Sequence, residues 1–319
     1  MDSQTIRVPA RALRLGPGAH DVHTASWAAP GGDGGHPLVC VHGLGGSHLN
    51  WGLAGPLLAK LPGVTDRVWA PDLPGFGLTA PASPDGGVRG ATLAENLDLL
   101  VGYLGTVAPD RPVVLVGNSM GGLLALLLAA HHPELVAGLV LINPALPAPV
   151  RTRLDPQVVA NFALFAVPGL GERVLALRQR RLTPQAQVAQ TMALCAADPE
   201  ALDAALLAEH ADLAAQRRTM PWAHRAFLQA SRDIVRTLTI GRGRVWDAVA
   251  RVNVPTLYVQ GVKDRLVHHS AGALLVRHRP DWTHARYDDL GHVPMVEDAP
   301  RLAGDIDSWL RASVRSAVS

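Results

Sequence analysis

Short β-type runs alternate with helix-patterned stretches through most of this chain of 319 residues, and few folds accommodate that alternation. Leu38, Val39, Cys40, Val41 and His42 make a brief, nearly continuous apolar run, the pattern of a strand covered on both faces. Further strands are expected at 21–27, 67–71, 112–116, 136–142, 255–260 and 284–288. Helical patterns occupy 49–60, a segment opening at Thr92, and 120–131, 269–277 and 301–314. Thr92 and Glu95 have the spacing of a capping box. Pro/Gly-rich loops are expected at 30–35 and 80–90. The rhythm fails only at 144–250, where helix-like segments are broken by prolines and no strand pattern occurs. The simplest reading is an α/β core of 1–143 and 251–319, mostly parallel, interrupted by a helical insertion at 144–250.

Composition narrows the function. With 48% hydrophobic and 18% charged residues, the chain can build a large core. The net charge is only +2, and the only lysines are Lys60 and Lys263, so no footprint for nucleic acid is present. Two cysteines, Cys40 and Cys195, cannot make a disulfide framework or a thiolate metal site. The histidine pairs His131-His132 and His268-His269 lack a metal-ligand partner set, so neither metal nor organic cofactor is expected. The longest apolar stretch, 113–130, is interrupted by Gly117, Asn118, Ser119, Gly121 and Gly122, which argues against a membrane span. The first twelve residues mix Asp2, Arg7 and Arg11 without an apolar run, so a cytoplasmic protein is expected.

Those interrupting residues carry chemistry. Gly117-Asn118-Ser119-Met120-Gly121 fits G-x-S-x-G, with a strand pattern before it and a helix pattern after it. A serine on so tight a crossing has an exposed hydroxyl, and the new helix aims free N–H groups at an anionic intermediate. A serine nucleophile needs a base, and the base needs an orienting carboxylate. His292 follows the expected strand at 284–288, and Asp264 follows the one at 255–260, so all three collect beyond the carboxyl ends of strands. Asp288 and Asp289 compete for the carboxylate role but stand too close to His292 in sequence to reach its far nitrogen easily; Asp264 is favoured. Oxyanion donors are expected from the backbone N–H of Met120 and of Leu44, the latter in the glycine-rich loop after the strand at 38–42.

Four elements in order resemble the α/β-hydrolase superfamily, serine-nucleophile branch. They are His42-Gly43-Leu44-Gly45-Gly46, Asp72-Leu73-Pro74-Gly75-Phe76-Gly77, Gly117-Asn118-Ser119-Met120-Gly121-Gly122, and Asp264 with Gly291-His292-Val293-Pro294. The resemblance implies an eight-stranded sheet with a helical cap after the sixth strand, matching 144–250, and makes Asp72 a turn residue. It implies a small-molecule substrate, a carboxylic ester with an apolar part, cleaved through a Ser119 acyl-enzyme. Two other readings stand beside it. The Asn-Ser-Met-Gly-Gly elbow resembles hydrolases that cleave carbon–carbon bonds of ring-fission products, although Leu44-Gly45-Gly46 and Val293 depart from their pattern. The other is a small-molecule binding protein with weak turnover. Phe162, Phe165, Met192, Met220, Trp222, Phe227 and Trp246 fall in the insertion, some to pack its helices and the rest to line an apolar pocket.

Overall fold

The computed structural model of the chain describes residues 1–9, 20–29, 35–81 and 91–314. The loop residues 30–34 and 82–90 lie outside them. Eight strands form one sheet: β1 (Asp2–Val8), β2 (His20–Ala28), β3 (His36–Val41), β4 (Val64–Pro71), β5 (Val113–Asn118), β6 (Val136–Ile142), β7 (Thr256–Gly261) and β8 (Thr283–Tyr287). Their order is β1-β2-β4-β3-β5-β6-β7-β8. The pairs β1–β2 and β2–β4 are antiparallel and all later pairs are parallel.

The apolar runs are explained by burial on both faces. Val39, Val41, Val113, Leu115, Leu139 and Leu141 enter one core layer, while Leu38, Cys40, Val114, Val116, Val140 and Ile142 enter the other. Successive side chains of a strand point to opposite faces, so a strand covered twice can spare no polar position. Each fully buried leucine or valine stabilises by roughly 1.5–3 kcal/mol relative to exposure.

Helices α1 (Ala54–Leu58), α2 (Leu93–Val107) and α3 (Met120–His131) connect the first strands. The capping box at the start of α2 forms as its spacing implied: Thr92 Oγ1 accepts from Glu95 N–H, and Glu95 accepts from Thr92 N–H. Between β6 and β7 run α4 (Pro156–Ala166), α5 (Leu170–Arg181), α6 (Pro184–Cys195), α7 (Ala204–Arg217), α8 (Ala223–Thr239) and α9 (Arg242–Arg251). The chain ends with α10 (His269–His278), α11 (Pro294–Glu297) and α12 (Ala299–Trp309). Buried residues of α6 to α9 join the two sheet layers. Met192 and Leu206 enter one; Ile234, Val245 and Val249 enter the other. Trp246 stacks on His278 with ring centroids 4.8 Å apart, so it ties α9 to α10.

Two expected helices need correction, and one strand was not anticipated at its position. Strand β1 had no sequence signal, because it lies at the sheet edge and only Val8 of it is fully buried. The single helix expected at 49–60 divides into a 3-10 turn, His48–Trp51, and α1. Ser47 and Asn50 cap that tight turn reciprocally, and Gly55 lets the chain pass where a Cβ would strike the Trp27 indole. The helix expected at 301–314 starts earlier, with the Asp298 side chain capping Arg301 N–H, and finishes in a π turn, Leu310–Val314. No single helix among the described residues is long and apolar enough to cross a membrane.

Candidate active site

Ser119 stands between the end of β5 and the first residue of α3 with φ 56° and ψ −118°. A non-glycine residue there costs on the order of 1–3 kcal/mol and persists only when its surroundings over-determine it. They do so here. Ser119 N–H donates to Ile142 O at 3.1 Å, and its carbonyl accepts from Leu123 at 3.0 Å and Ala145 at 2.9 Å. A Cβ on Gly117 would run into the Gly121 carbonyl, and one on Gly121 into the Val41 and His42 carbonyls. Both glycines are therefore required by the closeness of strand and helix. Neither the Met120 nor the Leu44 N–H has a hydrogen-bond acceptor among the described residues.

His292 and Asp264 meet: His292 Nδ1 lies 2.6 Å from Asp264 Oδ2, both residues being buried. The carboxylate is aimed by its own loop. Asp264 Oδ1 accepts from Leu266 N–H at 2.8 Å and Val267 N–H at 2.9 Å, which leaves Oδ2 for the imidazole. Asp288 and Asp289 are exposed and pair with Arg286 and Arg301. His292 is joined to the serine turn through Asn118, whose Nδ2 donates to His292 O at 2.9 Å. The Cβ of Ser119 in turn borders Gly43, where any added Cβ would lie 2.9 Å from it.

The loop after β3 is held by a neutral histidine. His42 Nδ1 donates to Gly43 O at 2.8 Å and its Nε2 accepts from Leu73 N–H at 3.0 Å, an arrangement open only to one tautomer. Burial pushes its pKa down to about 4, in keeping with that neutrality. Nearby, Asp72 accepts from His48 N–H, His48 Nδ1, His23 Nδ1 and Leu78 N–H at 2.7–3.0 Å. Burial acts to raise the Asp72 pKa, but these donors outweigh it and hold the carboxyl well below the usual range. Ligand atoms of His23, His48 and Asp72 lie within 4.8 Å of one another, the spacing of a metal site. With both oxygens engaged by N–H donors, the group is satisfied as a hydrogen-bonded strut for the turn at Gly75 to Gly77.

Sequence reasoning missed the residues that fix His292 from outside. Its N–H donates to Cys195 O at 2.6 Å, so the last residue of α6 grips the histidine loop directly. Asn143, at φ 42°, donates from Nδ2 to Gly291 O and accepts at Oδ1 from Gly261 N–H, both at 2.9 Å. Glu297 accepts from Ala197 N–H at 2.7 Å, Gly291 N–H at 3.0 Å and Val293 N–H at 3.2 Å. Burial raises its pKa against the pull of those amides. A carboxylate three residues beyond Pro294 was the only available signal. Glu297→Ala would leave these N–H groups unpaired and is expected to cost about 1–3 kcal/mol, with Glu297→Gln costing less because one acceptor survives. Urea unfolding midpoints measure both. An unshifted Glu297→Ala midpoint would mean that the amides find other acceptors.

The inserted helices touch this neighbourhood elsewhere too. Phe227 of α8 packs where a Cβ on Gly45 would lie 3.2 Å from its ring, and Phe165 of α4 meets Phe227 edge-on at 5.3 Å. Arg217 of α7 clamps the turn after β4, donating to Gly77 O at 2.6 Å and Gly75 O at 2.8 Å.

Comparison with known proteins agrees with this architecture. The chain is 35% identical over 189 residues to the dihydrolipoyllysine-residue acetyltransferase component of the acetoin cleaving system of Pseudomonas putida, covering 54% of this chain and 48% of that protein. It thus spans about half the length of that relative. It is 33% identical over 283 residues to a pimeloyl-(acyl-carrier protein) methyl ester esterase of Aromatoleum aromaticum, covering 84% of this chain and 97% of that one. A 2-hydroxymuconate semialdehyde hydrolase of Pseudomonas sp. strain CF600 is 28% identical over 298 residues, with 89% and 90% covered. In fold, a thermophilic esterase from Thermogutta terrifontis superposes with a TM-score of 0.65 at 23% identity, covering 98% of this chain and 99% of that one. Residues 36–299 match the family described as alpha/beta hydrolase fold, and the chain belongs to that family of hydrolases.

Proposed function

We propose that the protein hydrolyses a carboxylic ester with an apolar acyl or alcohol part, through an acyl-enzyme on Ser119. The observation that carries this reading is the buried Asp264–His292 pair at 2.6 Å, joined through Asn118 to the strained Ser119 turn. Asp264 holds the proton of the imidazole on Nδ1, so Nε2 is the base that takes the Ser119 proton as Oγ attacks the carbonyl. The free N–H groups of Leu44 and Met120 stabilise the oxyanion. The imidazolium then protonates the departing alcohol, and water attacks the acyl-serine with His292 again as base. No metal or organic cofactor enters the scheme.

Helices α4 to α8 form the lid in this reading, with α9 belonging to the layer that covers the sheet. Phe227 against the Gly45 loop, and Phe165 behind it, support an apolar wall beside the reacting carbonyl. Burying a methylene is worth about 0.8 kcal/mol, so kcat/KM should rise roughly fourfold per added carbon until the pocket fills. A panel of aryl esters from acetate to decanoate is the test. Octanoate is expected to exceed acetate, and Phe165→Ala to displace the optimum. Acetate turnover equal to that of octanoate would remove the apolar pocket from the scheme.

A second reading is favoured by the Asn-Ser-Met-Gly-Gly elbow and by the match, over 89% of this chain, to a 2-hydroxymuconate semialdehyde hydrolase. The same serine could attack the ketone of a vinylogous diketone and release a carbon leaving group. A ring-fission diketone run beside the esters separates the two by relative kcat/KM.

A further inference from the structure

We infer that the elbow between α4 and α5 is a docking surface for anionic phospholipid bilayers, separate from the reacting centre. Six of the eight large hydrophobic side chains exposed among the described residues fall between 150 and 177: Val150, Leu154, Val159, Val167, Leu170 and Leu177. Isolated exposed hydrophobics are ordinary, but a concentration of them on one short segment marks a contact surface. Every residue from Ala166 to Leu170 is exposed, so the apex of the elbow stands out from the body.

Charge identifies what meets it. The stretch 150–181 contains six arginines and two acids, Asp155 and Glu172, a balance of +4. Both acids are already paired, Asp155 with Arg265 at 2.9 Å and Glu172 with Arg232 at 3.1 Å, each arginine coming from outside the stretch. Arg151, Arg153, Arg173, Arg180 and Arg181 are exposed. The next stretch, 184–212, has no Lys or Arg and five acids, so the charge changes sign directly after α5. Apolar tips among arginines suit the boundary between headgroups and acyl chains, where each cation near an anionic surface adds about fivefold to binding. At 11 and 12 residues neither helix can span a bilayer alone, and the 115° bend between them suits a pair lying in the bilayer surface. A protruding apex also fits a fluid phase, which needs no matching groove, whereas a folded protein partner would have to supply one.

The test is co-sedimentation of the full chain with phosphatidylcholine vesicles, with and without about one third phosphatidylserine. Binding is expected on the anionic vesicles and to weaken as salt is raised. Replacing Arg173, Arg180 and Arg181 together by Gln should lower partitioning about 100-fold, and Val167→Ser with Leu170→Ser at least tenfold. These side chains are exposed, so thermal midpoints should hold, which separates lost docking from lost folding. The inference fails if the wild type ignores anionic vesicles or if the variants bind as well as the wild type does. It fails also if an acidic acyl carrier protein is retained by these arginines while vesicles are not.

Discussion

Ser119→Ala is expected to abolish covalent labelling by a fluorophosphonate and to lower ester turnover on the order of 10⁶-fold. The argument rests on how little else the change disturbs. The turn at φ 56° is enforced by backbone bonds to Ile142, Leu123 and Ala145 and by the tight fit of Gly117 and Gly121. None of these involves the serine hydroxyl, and alanine carries the same Cβ beside Gly43. The fold should therefore survive with only Oγ removed. Since removal of the nucleophile makes the other two groups useless, the loss should approach that of the whole triad. Single-turnover and multiple-turnover rates of purified protein, with mass spectrometry of the labelled peptide, decide it. Turnover within tenfold of the wild type would end the nucleophile assignment. A binding protein with weak turnover is told apart by the wild type instead: its multiple-turnover rate would be slow although its serine is labelled, whereas an enzyme turns over many times.

Much of this arrangement is legible in the sequence because a parallel sheet buried on both faces writes itself as apolar runs. Val113 to Val116 and Val136 to Ile142 alternate between two core layers, so neither face can be polar and the runs are unmistakable. Ser119 and Asp264 are legible for a related reason: each follows such a run at its carboxyl end, where the sheet topology brings loops together. His292 instead follows the mostly exposed edge strand β8 and is legible from Gly291-His292 beyond it. Strand β1 is hidden because an edge strand with one face open needs little apolar content. The 3-10 turn His48–Trp51 is set by the reciprocal Ser47–Asn50 cap, and α1 then brings Gly55 against Trp27, far away in sequence, so neither shows in the helical period. The grip of α6 on His292 is the least legible of all. Its acceptor is the carbonyl of Cys195, and a backbone carbonyl has no side-chain signature. Asn118 and Asn143 share that limit: an amide at a strand end becomes informative only once its partner is known.

Asp264→Asn should leave the fold intact and lower kcat about 10⁴-fold. The environment of the carboxylate dictates the direction. Oδ1 accepts two backbone N–H groups, from Leu266 and Val267, so in the variant that position must be the amide oxygen. The amide NH₂ then occupies the place of Oδ2 and faces His292 Nδ1 at the 2.6 Å contact. Two donors cannot share one hydrogen bond, so Nδ1 must give up its proton and become the acceptor. The imidazole is left with its hydrogen on Nε2, where it cannot take the Ser119 proton. Loss of the carboxylate also removes the charge that stabilises the imidazolium. The expected signature is a large fall in kcat with KM little changed and a thermal midpoint near that of the wild type, since the two backbone bonds persist. Asp288→Asn and Asp289→Asn should each stay within about twofold of the wild type, because those carboxylates are exposed and pair only with arginines. If either of them proves to be the crippling change while Asp264→Asn remains active, the orienting acid has been misassigned and the role of the 2.6 Å contact is purely structural.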